Sequence, residues 1–392
     1  MKIAYILNST SRNGGATKAF LNILDGLSHY GIKPYVVVPN KDGVYHELTN
    51  RKIPVLSVTY RSSAYPFFIT WKQRMLFIPR LLARITVNYK ATKAVTAWVK
   101  ENKIDLVHSN TGVVRIGFDA AQKVGIPHIY HIREYGDLDF GIHYFPTKKS
   151  FLHQLNCRQS YSVCITRAVQ AHYQQSEKHN VSRVIYDGVF SETEVMPRTG
   201  TKVYFLFAGR IQPAKGLQQL LTAYNDYAKN ANEPLKLKVA GSSADDAYYS
   251  RMVKYVEESN LESLVEFLGN RCDIDKLMQN ARALVVSSPF EGFGFCMPEA
   301  MQQGCLVIAR NTSGTKEQLD NALDMTGREI ALRYETTEEL AKLLNDVAST
   351  PAEAYREYTE RAFKIVNKLY TKENNARLTY NFYNEIIHPQ KT

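Results

Sequence analysis

Short β-branched and aromatic runs alternate with longer segments of helical periodicity along the whole chain. The runs Ile3–Leu7, Tyr35–Val38, Val55–Val58, Asp105–His108, His128–Ile132 and Tyr161–Ile165 predict strands in the first half. Val203–Phe207, Leu235–Ala240, Val265–Leu268, Ala283–Val286 and Leu306–Ala309 repeat the scheme in the second. Strand and helix in strict alternation predict an α/β protein with parallel sheets covered on both faces. Both halves open alike. Ile3–Leu7 runs into Gly14-Gly15 and a helix from about Ala16, and Val203–Phe207 runs into Gly209, Gly216 and a helix around Leu217–Tyr227. Two doubly wound domains are expected, 1–195 and 196–370, joined near Ser191–Thr201 where Pro197 and Gly200 break the pattern. In the tail, Thr350 is expected to cap a helix with Pro351 at its first position and Glu353 closing a capping box. A break near Tyr370–Thr371 precedes a last helical stretch, 371–392.

Composition narrows the class. With 392 residues, 44% hydrophobic and 22% charged, the chain is long enough for two globular domains and has no collagenous or disordered bias. The most apolar stretch, Phe67 to Leu82, is cut by Lys72, Arg74 and Arg80, so no membrane-spanning helix is expected. Ile3–Leu7 is too short for a signal-peptide core, and none of the cysteines (Cys157, Cys164, Cys272, Cys296, Cys305) forms a Cys-x-x-Cys pair. A cytoplasmic protein without disulfides or a zinc ribbon is the expectation. The charge is lopsided: residues 1–195 carry 25 Lys and Arg against 13 Asp and Glu, and residues 61–100 carry eight basic side chains and no acidic one. An anionic partner is therefore sought for the first half.

Open α/β sheets bind ligands at the carboxyl ends of their strands, so the loops there are the places to look. The first, Asn8 to Thr17, carries Gly14 and Gly15 ahead of a helix; it lets backbone approach an anion but equally fits a plain connection. The second, Phe207 to Gly216, sets Arg210 and Lys215 between glycines, a fork and a point charge suited to a diphosphate. The third, Ser287 to Ala300, is the most specific: Glu291-Gly-Phe293-Gly294-Phe295, then Pro298-Glu299, at the end of an apolar strand. Its glycines favour a nest of backbone amides, flanked by two carboxylates.

Gly209-Arg210, Lys215-Gly216, Phe267-Leu268-Gly269, Glu291 to Glu299 and Gly314-Thr-Lys-Glu317, in that order and spacing, resemble the family-four retaining glycosyltransferases. The resemblance implies the GT-B fold: two Rossmann-like domains facing across a cleft, the first for acceptor and the second for donor, with a C-terminal helix crossing back to the first. It implies transfer of a hexose-type sugar from a nucleotide diphosphate-sugar to a hydroxyl of a glycan or lipid-linked acceptor, in a setting such as bacterial surface polysaccharide synthesis. By matching positions, Glu291 meets the donor sugar and Glu299 the ribose, while Arg210 and Lys215 hold the diphosphate. Gly14, Gly15, Phe293, Gly294 and Phe295 line the donor site. No cofactor and no metal are expected beyond the nucleotide-sugar substrate.

The family commonly has a catalytic histidine six residues beyond a proline. Here Pro127 is followed by His131 at four and Arg133 at six, both on one face of a strand, and either fits that role. Asp137-Leu-Asp139 and Asp273-Ile-Asp275 have the form of a metal motif, which short acidic triplets also take by chance. The segment Tyr65 to Arg84 interleaves aromatic and basic residues, as interfacial membrane segments do and as a helix with a solvated basic face also does. It suggests peripheral contact with the inner membrane face; no nucleic-acid motif is present. The rival readings are a nucleotide-sugar epimerase or a pyridoxal-dependent phosphorylase of the same architecture, and a non-enzymatic basic protein binding membranes or polyanions.

Overall fold

The structure, a computed structural model, describes residues 1–12, 14–66, 71, 75–175, 181–197, 200–243 and 245–389. Of the positions singled out above, Phe67, Phe68, Lys72, Arg74 and residues 198 and 199 of the expected linker lie outside the described residues. The chain forms two units. The first combines Met1–Gly188 with Lys372–Thr392, and the second is Val189–Thr371.

The first unit is built on strands β1 (Lys2–Ile6), β2 (Lys33–Val38), β3 (Val55–Ser57), β4 (Ala64–Pro66), β5 (Leu106–Ser109), β6 (His128–Ile132), β7 (Ile142–Tyr144), β8 (Ser160–Cys164) and β9 (Ser182–Val184). Seven of them pair in parallel in the order β3-β2-β1-β5-β6-β8-β9, while β4 and β7 form an antiparallel ribbon. The alternation in β1 shows why both faces are covered. Ile3 and Tyr5 join one core with Phe20, Ile23 and Phe382, whereas Ala4 and Ile6 join the other with Val95, Val99 and Ile116. Strand residues of period two thus feed helices on opposite sides.

The last helix, Lys372–Ile387, belongs to this first unit and buries Ala376, Phe382, Tyr383 and Ile386 in its core. It crosses the helix Gly15–Leu27 so closely that a Cβ on Gly26 would lie 2.7 Å from the Ala376 Cβ. The expected return of the last helix to the first unit is therefore written into a glycine as well as into an apolar face.

The second unit carries β10 (Tyr204–Ala208), β11 (Lys236–Ala240), β12 (Val265–Gly269), β13 (Ala283–Val286), β14 (Val307–Arg310) and β15 (Leu332–Tyr334). All pair in parallel, in the order β12-β11-β10-β13-β14-β15. Each unit has one point where the chain, having wound outward on one side, returns to the other. That switch lies between β1 and β5 in the first unit and between β10 and β13 in the second, so the loops after these strands flank the ligand crevice of a doubly wound sheet.

The tail differs from expectation at one cap. Thr350 ends the helix Thr337–Ser349, its N–H donating to the Asp346 carbonyl, and Pro351 leads into a 3₁₀ turn, Ala352–Tyr355, before the helix Arg356–Leu369. Pro351 holds Thr350 extended, as the residue before a proline prefers. The Arg282 guanidinium then takes the Val347 and Thr350 carbonyls. The capping box of this region is Thr336 with Glu339, one helix earlier.

Candidate functional site

In the first unit the loop after β1 ends on Gly14, which precedes the helix Gly15–Leu27 in an extended conformation with no side chain capping the helix. Space around Gly15 is open, since a Cβ there would meet nothing within 4 Å. The loop after β5 is tied to it: the Asn110 N–H donates to the Ile6 carbonyl at 3.0 Å and its side chain to the Ala16 carbonyl at 2.8 Å.

Arg133, just past β6, is buried and all three of its guanidinium nitrogens have partners. Nε donates to the Asn110 carbonyl at 3.1 Å, one Nη2 hydrogen points to His131 Nδ1 at 3.2 Å, and Nη1 pairs with the buried Asp187 carboxylate. His131 has no exposed surface. With Nδ1 accepting from Arg133, its proton sits on Nε2, which lies 3.9 Å from Asp187 and makes no hydrogen bond. Burial, then the Arg133 charge, then His108 push its pKa well below the usual histidine value, so the ring is neutral. His108 Nε2 lies 3.2 Å from His131 Nδ1, and its other nitrogen is 2.5 Å from the Tyr383 hydroxyl of the last helix. His108 is held down to about 3 by burial and by Arg133.

Two groups here escaped the sequence reading. Glu134 is buried with Oε1 unpartnered, and burial together with Asp139 raises its pKa to about 8, against the opposing Arg133 charge and the Gly112 N–H. It is therefore a neutral acid at neutral pH. Asp187, which no motif singled out, is the counter-ion of Arg133.

In the second unit, close backbone contacts fold the loop after β10 onto the loop after β13. Gly216 has φ +69° and a Cβ there would fall 2.0 Å from the Ser287 carbonyl oxygen, so no other residue fits. The Ser287 hydroxyl donates to the Lys215 carbonyl at 3.0 Å. This arrangement delivers Lys215 Nζ to both carboxylate oxygens of Glu291, at 2.8 and 2.7 Å. Burial works against the Lys215 charge, but the Glu291 carboxylate outweighs it, and the net pKa is raised. Arg210, on the same loop, is exposed and has no ion pair among the described residues.

The Glu291–Phe295 loop is shaped from behind. The Gly314 N–H donates to the Glu291 carbonyl at 2.9 Å, an approach only glycine allows, because a Cβ would fall 2.6 Å from that oxygen. Gln318 Nε2 donates to the Phe293 carbonyl, and the buried Phe293 ring meets Tyr370 edge-on at 5.2 Å. Gly294 takes φ +87°, closing the loop over the Glu291 side chain. Phe295 precedes the helix Cys296–Gln302, and Glu299, in its first turn, keeps partial exposure. The structure thus brings Lys215 and Glu291 into contact, with Arg210, Phe293, Gly294 and Phe295 on the loops that hold them and Glu299 in the helix that follows. In the first unit it brings His131 and Arg133 together.

Residues 191–365, nearly the whole second unit, match the family model described as glycosyl transferases group 1. Over these residues the second unit is similar to that family. YqgM of Bacillus subtilis, described as an uncharacterized glycosyltransferase, is 31% identical over 121 residues, which are 30% of this chain and 33% of that protein. The O-antigen chain mannosyltransferase B of Escherichia coli is 31% identical over 123 residues, 30% of this chain and 31% of its own. These matches span about a third of the length of each relative. A solved Anabaena protein, Alr3699/HepE in complex with UDP, superposes with a TM-score of 0.74 over 98% of this chain and 100% of that one, at 19% identity. That likeness establishes the GT-B fold of the whole chain.

The two acidic triplets have other work. Asp139 accepts the N–H groups of Tyr135 and Gly136, while Asp137 pairs with Lys148 and His172. Asp273 pairs with Arg271. No cluster of three metal-ligating side chains occurs among the described residues.

Proposed function

We propose that the chain is a retaining glycosyltransferase that moves a hexose from a nucleotide diphosphate-sugar to a hydroxyl of a glycan or lipid-linked acceptor, as in surface polysaccharide synthesis. The observation that carries this is the Lys215–Glu291 pair, set at the switch point of the second sheet inside the region similar to group 1 glycosyl transferases. The solved Anabaena protein was also crystallised with UDP-glucose, so UDP-sugars are the first donors to try.

Arg210 would clasp the donor diphosphate and Lys215 would turn from Glu291 toward it, so that Glu291 is free to orient the sugar while Glu299 holds the ribose. Charge growing on the leaving diphosphate would meet donors already in place, and no metal is required by this arrangement. In the first unit, Gly14 and Gly15 would let backbone approach the donor closely. Arg133 takes the family's histidine position, braced by neutral His131. The basic first half favours an anionic membrane surface at the acceptor side.

Donor-dependent transfer tests the reading. The purified chain is incubated with UDP-, GDP- and ADP-sugars and a hydroxyl acceptor, and the anomeric configuration of the product is read by NMR. Retention from one donor class is expected. Hydride-free interconversion of the donor sugar without acceptor, or no turnover and no nucleotide binding with any donor, overturns it.

A further inference from the structure

The helix Phe77–Glu101 is 25 residues long, yet its four buried side chains, Ala91, Thr92, Val95 and Val99, all lie beyond residue 90. Among the described residues, the contacts of its first half with the rest of the unit lie along one side, where the Phe77 ring meets Tyr65. Arg84 donates to the Ala64 carbonyl at 2.9 Å, and the Asn88 side chain exchanges hydrogen bonds with the Arg61 backbone at 2.8 and 3.0 Å.

A different face is uncovered. Ile78, Leu82, Ile85 and Tyr89 are 66, 60, 46 and 56% exposed. Their four-three-four spacing sets them in one line along the helix, about 16 Å from first to last. The same line continues, by further steps of four, three and four, to Lys93, Thr96 and Lys100. Lys93 Nζ stands 4.9 Å over the Tyr89 ring, and Lys123 Nζ 5.8 Å from it. Apolar side chains therefore give way to cations along one stripe.

An aliphatic line of this length in water marks a docking surface. Its spacing would suit a second helix, but a second copy would bring the same cations against these, since residues 61–100 hold no acidic side chain. An anionic lipid surface answers both parts of the stripe. We propose that this face inserts into such a surface, with Ile78, Leu82 and Ile85 beneath the headgroups and Tyr89, Lys93 and Lys100 among them. The inference rests on the anionic-surface reading above and deepens it: attachment comes from buried aliphatic side chains, with charge serving as guide. No helix among the described residues is long and apolar enough to cross a membrane, so the contact is one of lying in the interface.

The test is co-sedimentation of the full chain with vesicles of phosphatidylcholine alone and with phosphatidylglycerol added, at low and high salt. Two doubly substituted variants accompany the wild type. Leu82→Ser with Ile85→Ser removes apolar surface and no charge, whereas Lys93→Gln with Lys100→Gln removes charge alone. All four side chains are exposed, so unchanged thermal melts are expected. The wild type should pellet with anionic vesicles and resist salt in part. The serine variant should lose binding roughly tenfold or more and release the remainder in salt. The glutamine variant should bind less at low salt and keep its salt-resistant part. A serine variant that pellets like the wild type overturns insertion and leaves the electrostatic reading standing. A wild type that stays in the supernatant with every vesicle overturns both. If that wild type is also a dimer that the serine variant dissociates, a second copy occupies the face.

Discussion

The two units share a sheet plan and a switch point but put opposite kinds of chemistry there. In the first, the charge at the switch is buried: Arg133, Asp187, His131 and His108 form a closed network with almost no exposed surface. In the second it is open to solvent: Arg210 is exposed, and the Lys215 and Glu291 side chains keep 26% and 12% of their surface. A buried ion pair loses much when one partner is removed, because the other is left desolvated and alone. A partly exposed pair can exchange its partner for an incoming anion at lower cost. Under the proposed function the first switch point holds a shape and the second trades ligands.

The largest effect should come from breaking the buried pair. Arg133→Ala or Asp187→Ala is expected to destabilise the chain by about 3–5 kcal/mol in denaturant melts, and the paired replacement Arg133→Met with Asp187→Leu far less. Equal losses for single and paired variants would contradict the ion-pair account. Next, Lys215→Ala should weaken nucleoside diphosphate binding by roughly 1.5–3 kcal/mol in calorimetry while leaving the melt nearly unchanged. A large drop in stability with intact binding would reverse the roles given to the two units.

The pH dependence should be asymmetric. The neutral histidines have folded pKa values below their unfolded ones, so the stability they contribute is whole above about 6.5 and falls as pH drops toward 3. Glu134 has a raised pKa, so its contribution is whole below about 4.5 and is lost as pH rises through about 8. Each group adds a slope of up to about 1.4 kcal/mol per pH unit within its window. Glu134→Gln should flatten the alkaline limb alone, and an unchanged limb would remove Glu134 from the account. The smallest contrast lies in two glycines. Gly216→Ala must collide with the Ser287 carbonyl and should cost more than about 1 kcal/mol, whereas Gly15→Ala has open space and should gain a few tenths.

The same contrast explains what the sequence made legible. The second switch point is local: Gly209, Arg210, Lys215 and Gly216 lie within eight residues, and Glu291 to Glu299 within nine, so spacing alone announces them. The first depends on distant partners. Arg133 and Asp187 are 54 residues apart, and His108 and Tyr383 are 275 apart, so no window reveals their pairing. Glu134 follows Arg133 beyond the end of β6, outside any periodic pattern, and its surroundings include Asp139 and Gly112. Among strands, the long apolar runs and the short β3 were plain, while β4, β7, β9 and β15, three residues each, were not read from the sequence. Pro351 was visible, yet its effect at Thr350 was to end one helix and not to start the next.

The central claim is that Lys215 is held by Glu291 until a diphosphate takes its place. The most direct measurement is calorimetric titration of the wild type, Glu291→Gln and Glu299→Ala with UDP, GDP and ADP. The account predicts that one nucleotide binds the wild type, that Glu299→Ala weakens it roughly tenfold or more through the lost ribose contacts, and that Glu291→Gln binds it as tightly or more tightly, since Lys215 is released. Equal weakening in both variants, or no binding of any nucleotide to the wild type, would contradict it.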